Sequence, residues 1–192
     1  MWIWQRAEWP DLQFDEGRLA GASTQFALAD AELYGRVDAG GAAPREDLAV
    51  ELMLSEAIAS YAIEGERLDR ESVRSSLLNV IGSLSEGPPD MQGGAEDGAA
   101  ALIVDVRRNW DQPLSRDRLC AWQAMALSGR RRHSLQLGRY RRGEDSMNIV
   151  SGNPYGPKGV NIHYTAPPSS QVPLEMERLI EWFNDSRGRI DG

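Results

Sequence analysis

Cysteine, histidine and long apolar runs are scarce in this sequence of 192 residues. The single Cys120 excludes an internal disulfide and has no companion at zinc-binding spacing, and His133 and His163 form no H-x-x-x-H pair. We therefore expect no metal site. No apolar run is long enough to cross a bilayer, and the N-terminal residues lack the pattern of a signal peptide. These absences predict a cytoplasmic protein that does not enter a membrane.

Positive charge is also scarce, because 21 Lys and Arg residues face 29 Asp and Glu residues and the formal net charge is -8. Nucleic-acid binding is therefore not expected, since phosphate contacts need clustered basic side chains. One basic island interrupts this acidic pattern between positions 129 and 143. A solvated loop that complements acidic surface elsewhere is the favoured interpretation, and an anion or nucleotide contact is the alternative. The arginines of the island are Arg130, Arg131, Arg132, Arg139, Arg141 and Arg142.

A long apolar segment over 48–65 organises the rest of the chain. It is apolar at almost every helical position, which predicts a helix buried among other helices. Glu56, Ser60 and Glu64 are spaced four residues apart and form one polar stripe, and Gly65 can end the helix in a left-handed turn. An unpaired charge is costly inside a protein, so this stripe predicts a partner for its carboxylates.

The remaining periodicity predicts a mainly helical chain. Asp69 and Ser115 are predicted N-caps, and Trp2 and Trp4 alternate across Ile3 as in a short extended segment that caps the first helices. The Gly-rich stretch 38–44 separates the first two helices. Besides the segment 48–65, helices are predicted over 15–37, 69–82, 99–110, 118–127 and 172–183.

Two stretches depart from helical periodicity. Short β-type runs at 148–150 and 160–164 flank SGNPYGPKG, which predicts a β-hairpin. The stretch 86–98 is rich in Pro and Gly and has no periodicity, so it is the best internal boundary. We predict an N-terminal helical domain over 1–86, a linker over 87–98 and a second domain over 99–192.

Seven short strings together resemble the Fic family of AMP-transferring proteins, in the bacterial branch whose catalytic domain follows a small Trp-rich N-terminal domain. Each string alone is weak, and their occurrence in the family's order carries the resemblance. It implies a mainly α, Fic-like helical bundle with a short N-terminal extended segment and a β-hairpin flap, and it makes 99–192 a partial Fic domain. The strings are WIWQ at 2–5, IEGERLDRESVRSS at 63–76, PLSRDRLCAW at 113–122, GRYR at 138–141, IVSG at 149–152, APP at 166–168 and WFN at 182–184.

The resemblance gives the polar stripe a function. Fic proteins carry an inhibitory helix with the pattern S/T-x-x-x-E-G/N, and Ser60, Glu64 and Gly65 fit it. In the family the glutamate pairs with a catalytic-loop arginine that would otherwise hold the ATP γ-phosphate. The resemblance therefore implies that Glu64 is inhibitory and that Ser60 supports it. The alternative is an ordinary helix end at which Glu64 pairs with a local arginine such as Arg67 or Arg70.

The resemblance also implies a role for the hairpin. The family's flap aligns a target segment beside the active site by strand addition, which uses main-chain hydrogen bonds. A purely structural hairpin is the alternative. The Gly- and Pro-rich tip departs from the family, so it does not identify the target. The implied docking residues are Ile149, Val150, Ser151, Gly152, Val160, Asn161, Ile162, His163 and Tyr164.

The catalytic signature of the family, H-x-F-x-D/E-G-N-G-R-x-x-R, occurs nowhere in the chain. Without it there is no histidine base for a target hydroxyl and no glycine-rich cradle for ATP. We assign no catalytic residue and expect no tight binding of ATP or magnesium, which are the cofactors of the complete family protein.

The resemblance implies that the complete protein transfers AMP from ATP to a Ser, Thr or Tyr hydroxyl of a protein target, with a Fic homo-oligomer as a second kind of partner. We expect this chain to be the N-terminal part of such a self-inhibited adenylyltransferase, truncated or split and inactive alone. The rival hypothesis is a non-catalytic regulator that supplies its inhibitory helix in trans to another Fic protein.

Overall fold

A computed structural model describes residues 1–9, 15–39, 42–82, 93–129, 136–144, 146–153 and 159–186, without the side chains of 16, 37–39 and 42–46. Over these ranges the chain is mainly helical with one two-stranded antiparallel sheet, as the sequence predicts. No helix within them combines the length and apolar character that crossing a bilayer demands. The elements are a 3-10 turn at Ile3–Gln5, α1 at Glu16–Ala39, α2 at Ala42–Ile63, α3 at Arg70–Gly82, α4 at Ala95–Arg108, α5 at Arg116–Ala126, β1 at Asn148–Gly152, β2 at Val160–Thr165 and α6 at Val172–Ser186.

The chain forms two compact units. One consists of Met1–Gln25 and Tyr140–Gly192, and the other of Phe26–Arg139. Of the proposed linker 87–98, positions 87–92 lie outside the described residues, and Ala95 begins α4. The three-part division of the chain stays a prediction.

The core of the second unit lies where α2, α3 and α4 meet. Leu54, Val73 and Leu77 are fully buried there, and each is a large apolar side chain with 0% exposure. Burial of one such side chain contributes about 1.5–3 kcal/mol, so these three residues anchor the packing of α2 against α3. The whole cluster consists of Met53, Leu54, Ala57, Val73, Leu77, Ala99, Ala100 and Val104.

Gly98 permits α4 to approach the next helix closely. A Cβ atom at this position would overlap the backbone oxygen of Met125 in α5 and would lie 2.5 Å from Cβ of Ser128. Real Cβ atoms do not come so near, so a larger residue at position 98 would push the two helices apart. The sequence alone does not reveal this contact, because Gly98 lies in a stretch that has the composition of a linker.

Both predicted N-caps are confirmed. The Asp69 Oδ1 atom accepts a hydrogen bond from the Ser72 backbone N–H at 2.8 Å, and Ser115 Oγ accepts one from Arg118 N–H at 3.2 Å. These side chains satisfy donors that the first helical turn leaves free. The start of α2 differs from expectation, because Pro44 does not delay it. Proline is tolerated in a first turn, where its missing N–H has no helical acceptor.

The N-terminal tryptophans are organised differently from the prediction. An extended segment that caps the first helices is wrong, because residues 3–5 form a 3-10 turn and the indoles contact β2 and α6. Trp4 Nε1 donates to the Thr165 carbonyl at 2.7 Å, and Trp9 Nε1 donates to Glu175 Oε2 at 3.0 Å. A half-buried indole needs an acceptor for its N–H, and the hairpin and last helix provide one each.

The predicted hairpin is confirmed, with one irregularity. Ile149 pairs with Tyr164 and Val150 pairs with Ile162, so His163 is an extra residue on β2. This is a β-bulge, which bends a strand and changes where its side chains point. The tip of the hairpin at 154–158 lies outside the described residues.

Candidate functional site

The last turn of α2 ends as the sequence predicts. Gly65 has φ +79°, its N–H donates to the Ala62 carbonyl at 3.0 Å, and the Glu66 N–H donates to the Tyr61 carbonyl at 2.9 Å. These two bonds form a Schellman motif, in which a left-handed glycine closes the helix. The motif fixes the backbone on both sides of Glu64, so the position of this residue is set by the helix end.

The polar stripe is exposed. Ser60 Oγ donates to Glu56 Oε1 at 3.1 Å, which confirms that the four-residue spacing brings these side chains together on one face. Glu64 is exposed and forms no ion pair with any described residue. Of the two local arginines considered, Arg70 instead pairs with Glu51 at 2.6 Å. The carboxylate of Glu64 is therefore open to water and to an external partner.

The expectation of a helix buried on all sides is wrong. Met53, Leu54 and Ala57 are buried, whereas Leu52 is 55% exposed and Ile63 is 83% exposed. The physical reason is that α3 and α4 both cover the same side of α2. Because the stripe lies on the uncovered side, its carboxylates keep their hydration, and no internal partner is required.

Two sets of contacts fix α2 against its neighbouring helices. The Tyr61 hydroxyl donates to the Ala126 carbonyl at 3.1 Å and ties the end of α2 to the end of α5. Glu51 binds Arg70 at 2.6 Å and Arg74 at 3.5 Å, and these ion pairs join α2 to α3. The exposed stripe is therefore presented by a helix that is fixed along its opposite side.

All nine predicted flap residues lie in the hairpin. Its apolar side chains are open, with Ile149 62%, Val150 48% and Ile162 47% exposed. Among the described residues neither strand has a second partner strand, so each keeps one open edge, which is the feature that strand addition needs; on β2 the Thr165 carbonyl already accepts from Trp4. The flap residues belong to the first unit and the stripe to the second, so the structure gathers two separate groups of predicted site residues.

The remaining polar candidates have mixed outcomes. In the basic island, positions 130–135 lie outside the described residues, His133 among them, while Arg141 donates to the Pro167 carbonyl and so has a structural contact. Cys120 is a half-buried free thiol. No three His, Cys, Asp or Glu side chains in the described part of the chain are grouped closely enough to hold a metal ion.

Sequence reasoning missed two features of the surface. Every described side chain of α1 is exposed, including Leu19 and Phe26, although their seven-residue spacing predicts a packed face. An open groove of about 300 Å³ also runs beside the C-terminal half of this helix. No local pattern marks the groove, since its lining comes from three helices. The residues that line it are Asp30, Leu33, Tyr34, Leu48, Ala49, Leu52 and Arg107.

Comparison with known proteins adds one finding. Residues 2–83 match a family described as a domain of unknown function (DUF4172). The matched stretch begins before the 3-10 turn, extends through α3 and includes both Ser60 and Glu64. No curated protein matches the chain. The match therefore groups the N-terminal stretch with similar sequences without attaching an activity to it.

Proposed function

We propose that this chain carries the inhibitory helix and the target-docking flap of a Fic-type protein adenylyltransferase. The reaction of the complete protein is transfer of AMP from ATP, with magnesium, to a Ser, Thr or Tyr hydroxyl on a protein. The observation that supports the proposal most is the end of α2. There an S-x-x-x-E-G pattern presents an exposed Glu64, which forms no ion pair with a described residue, from a fixed helix terminus. A cytoplasmic location belongs to the same proposal.

The proposed inhibition is electrostatic and steric. A carboxylate at the position of Glu64 can form a charge-assisted pair with an arginine of a catalytic loop, and such pairs are about twice as strong as neutral hydrogen bonds. The pair also places negative charge where the γ-phosphate of ATP would bind, and like charges repel there. Because the Schellman turn and the Tyr61 anchor hold the helix end, the backbone that carries the carboxylate does not have to be ordered on binding.

To support Glu64, the Ser60 hydroxyl has to change its hydrogen-bond acceptor. Its hydroxyl now donates to Glu56, one turn earlier on the same face, while Glu64 lies one turn later. Rotation of the serine side chain would transfer this hydrogen bond from Glu56 to Glu64. In the proposed inhibited state Ser60 thus orients the carboxylate toward the arginine.

The first test is incorporation of label from ATP. We expect the isolated chain with magnesium and α-labelled ATP to incorporate no AMP, because its residues include no catalytic signature. A Fic protein with the complete signature serves as the positive control in the same assay. Robust self-modification of the isolated chain would refute the assignment of this chain as non-catalytic.

A second candidate function is inhibition in trans, and the exposure of Glu64 favours it specifically. The purified chain is added to a Fic protein whose own inhibitory glutamate has been replaced by glycine. We expect self-labelling of that enzyme to fall, and Glu64→Gly in the added chain to abolish the effect. Glu56→Gln, on the same face, is the matched control and should still inhibit. Equal inhibition by the Glu64→Gly variant would exclude this carboxylate as the inhibitor.

A further inference from the structure

A serine and a histidine form a close pair on the surface of the hairpin. Ser151 Oγ lies 2.6 Å from His163 Nε2, and both residues are exposed. A hydroxyl within hydrogen-bond reach of an imidazole is the arrangement by which proteins activate a serine nucleophile. We propose that Ser151 is a nucleophilic acceptor site for phosphoryl-type groups and that His163 is its general base.

A β-bulge lies at His163, one member of this pair. Ser151 is directly opposite Asn161, and in a regular ladder the residue opposite Ile149 would be His163. The bulge gives that place to Tyr164 and leaves His163 without a cross-strand partner in the ladder. The imidazole is therefore free to turn toward Ser151, diagonally across the hairpin. Bulges are over-represented beside active sites for this reason, because they redirect a single side chain.

The neighbouring residues leave the hydroxyl open to an incoming group. Gly152, next to Ser151, has φ +103°, and a Cβ atom there would lie 2.5 Å from the Gly159 carbonyl oxygen. The hairpin thus requires glycine at this position, and no side chain follows the serine. Asn161 is paired with Ser151, which puts the two Cβ atoms about 5 Å apart and brings a carboxamide donor to the same face.

The chemical step balances within the pair and its donor. The donor is a phosphorus ester, anhydride or halide with a good leaving group. With the ring proton on Nδ1, His163 Nε2 takes the hydroxyl proton while Ser151 Oγ forms a bond to phosphorus. The bond from phosphorus to the leaving group breaks, and that group departs with its electron pair. The Asn161 amide can donate a hydrogen bond to a phosphoryl oxygen as charge develops on it.

This site is independent of the proposed adenylyltransferase function. Strand addition to the hairpin uses main-chain groups, whereas the acceptor site uses the side chains of Ser151 and His163. Failure of inhibition in trans would leave the nucleophile intact, and failure of the serine to react would leave the inhibitory helix intact. The two proposals can therefore be refuted separately.

The test is covalent labelling of the full chain with a fluorophosphonate, which reacts selectively with activated serines and releases fluoride. Tryptic peptides are then quantified by mass spectrometry over time. We expect Ser151 to be labelled and Ser146, in the same tryptic peptide, to remain unmodified. His163→Gln should slow labelling of Ser151 by about 100-fold or more, the lower range for loss of a general base. The matched control is Ser72→Ala, which removes a hydroxyl that donates to the Asp69 carboxylate and should not change the rate.

A structural effect of the substitution is separated from loss of the base by chemical rescue. Free imidazole should restore labelling of Ser151 in a His163→Ala variant, because the small base can occupy the space left by the side chain. Equal labelling of Ser146 and Ser151 would overturn the proposal. So would an unchanged rate in the His163→Gln variant, or absence of rescue in the His163→Ala variant.

Discussion

The two faces of α2 differ in what covers them. On one face Met53, Leu54 and Ala57 are buried against α3 and α4, and on the other Glu56, Ser60 and Glu64 are exposed. Both faces belong to one helix with one set of end contacts. If substitutions on the two faces change the free energy of unfolding by different amounts, the difference therefore reports on packing against neighbouring helices, since the helix itself is common to both.

This difference separates stability from availability for binding. The covered face contributes apolar burial, which grows with the area removed from water. The uncovered face contributes little to folding and keeps its carboxylates hydrated, so they can bind a cation without having first been buried at a cost. Stability and recognition can thus be altered one at a time on this helix.

The largest effect is expected for Leu54→Ala. Leu54 has 0% exposure, and removal of a fully buried leucine side chain costs about 2–5 kcal/mol in free energy of unfolding. Leu52→Ala is the matched control, because Leu52 lies two residues away on the same helix with 55% exposure. It should cost well under half as much. Urea denaturation followed by circular dichroism measures both, and equal losses would show that α2 is not covered on one side only.

Gly98→Ala tests the other side of the core, where α4 approaches α5. The new methyl group would overlap the Met125 carbonyl oxygen, and forced overpacking of this kind costs about 1–3 kcal/mol. Gly35→Ala is the control, since a Cβ at Gly35 in α1 meets nothing within 4 Å. That control should stabilise the protein by up to about 1 kcal/mol through helix propensity. A stabilising Gly98→Ala would contradict the close contact between α4 and α5.

The elements of this fold could be predicted from local chemistry, and the covering of those elements could not. Asp69, Ser115 and Gly65 mark helix ends through hydrogen bonds or a φ angle that involve only neighbouring residues, so a sequence suffices to find them. The all-round apolar character of α2 fits burial on any side. Which side is covered depends on how α3 and α4 pack, so it cannot be predicted from the sequence of α2 alone.

In the candidate sites, too, features set by local sequence could be predicted and features set by contacts between distant residues could not. The spacing of Glu56, Ser60 and Glu64 predicts a shared face, because four residues make about one helical turn. The pair of Ser151 and His163 was not foreseen, since the two residues are 12 positions apart and meet only through the register of β1 against β2. The Fic-type function stays a proposal that rests on the collinear strings and on the S-x-x-x-E-G pattern.

Asp69→Asn should give a smaller effect that depends on pH. Hydrogen bonds from the Ser72 side chain and backbone lower the pKa of Asp69 below its ordinary value of 3.8. A lowered folded-state pKa means that the charged cap stabilises the protein above about pH 3.8, and that this stability is lost as pH falls through the folded-state value. Asparagine is also a good N-cap, so the variant removes the charge and keeps the cap.

Thermal melts from pH 7 to pH 2 measure this contribution. We expect the melting temperature of the variant to lie below that of the parent at neutral pH and to converge with it in acid. This N-cap stabilises α3, which is one of the helices that cover the buried face of α2. A difference that stays constant down to pH 2 would show that the charge of Asp69 makes no contribution.

The smallest effect on folding is expected for Glu64→Gln, on the uncovered face. Glu64 is exposed and unpaired among the described residues, so loss of its charge should change the free energy of unfolding by no more than about 0.5 kcal/mol. Glu51→Gln is the control on the same helix. It removes the ion pairs to Arg70 and Arg74, and it should cost more, up to about 1 kcal/mol. If Glu64→Gln destabilised the chain more than Glu51→Gln, Glu64 would have an internal role, and the carboxylate could not serve as a free ligand for a catalytic arginine.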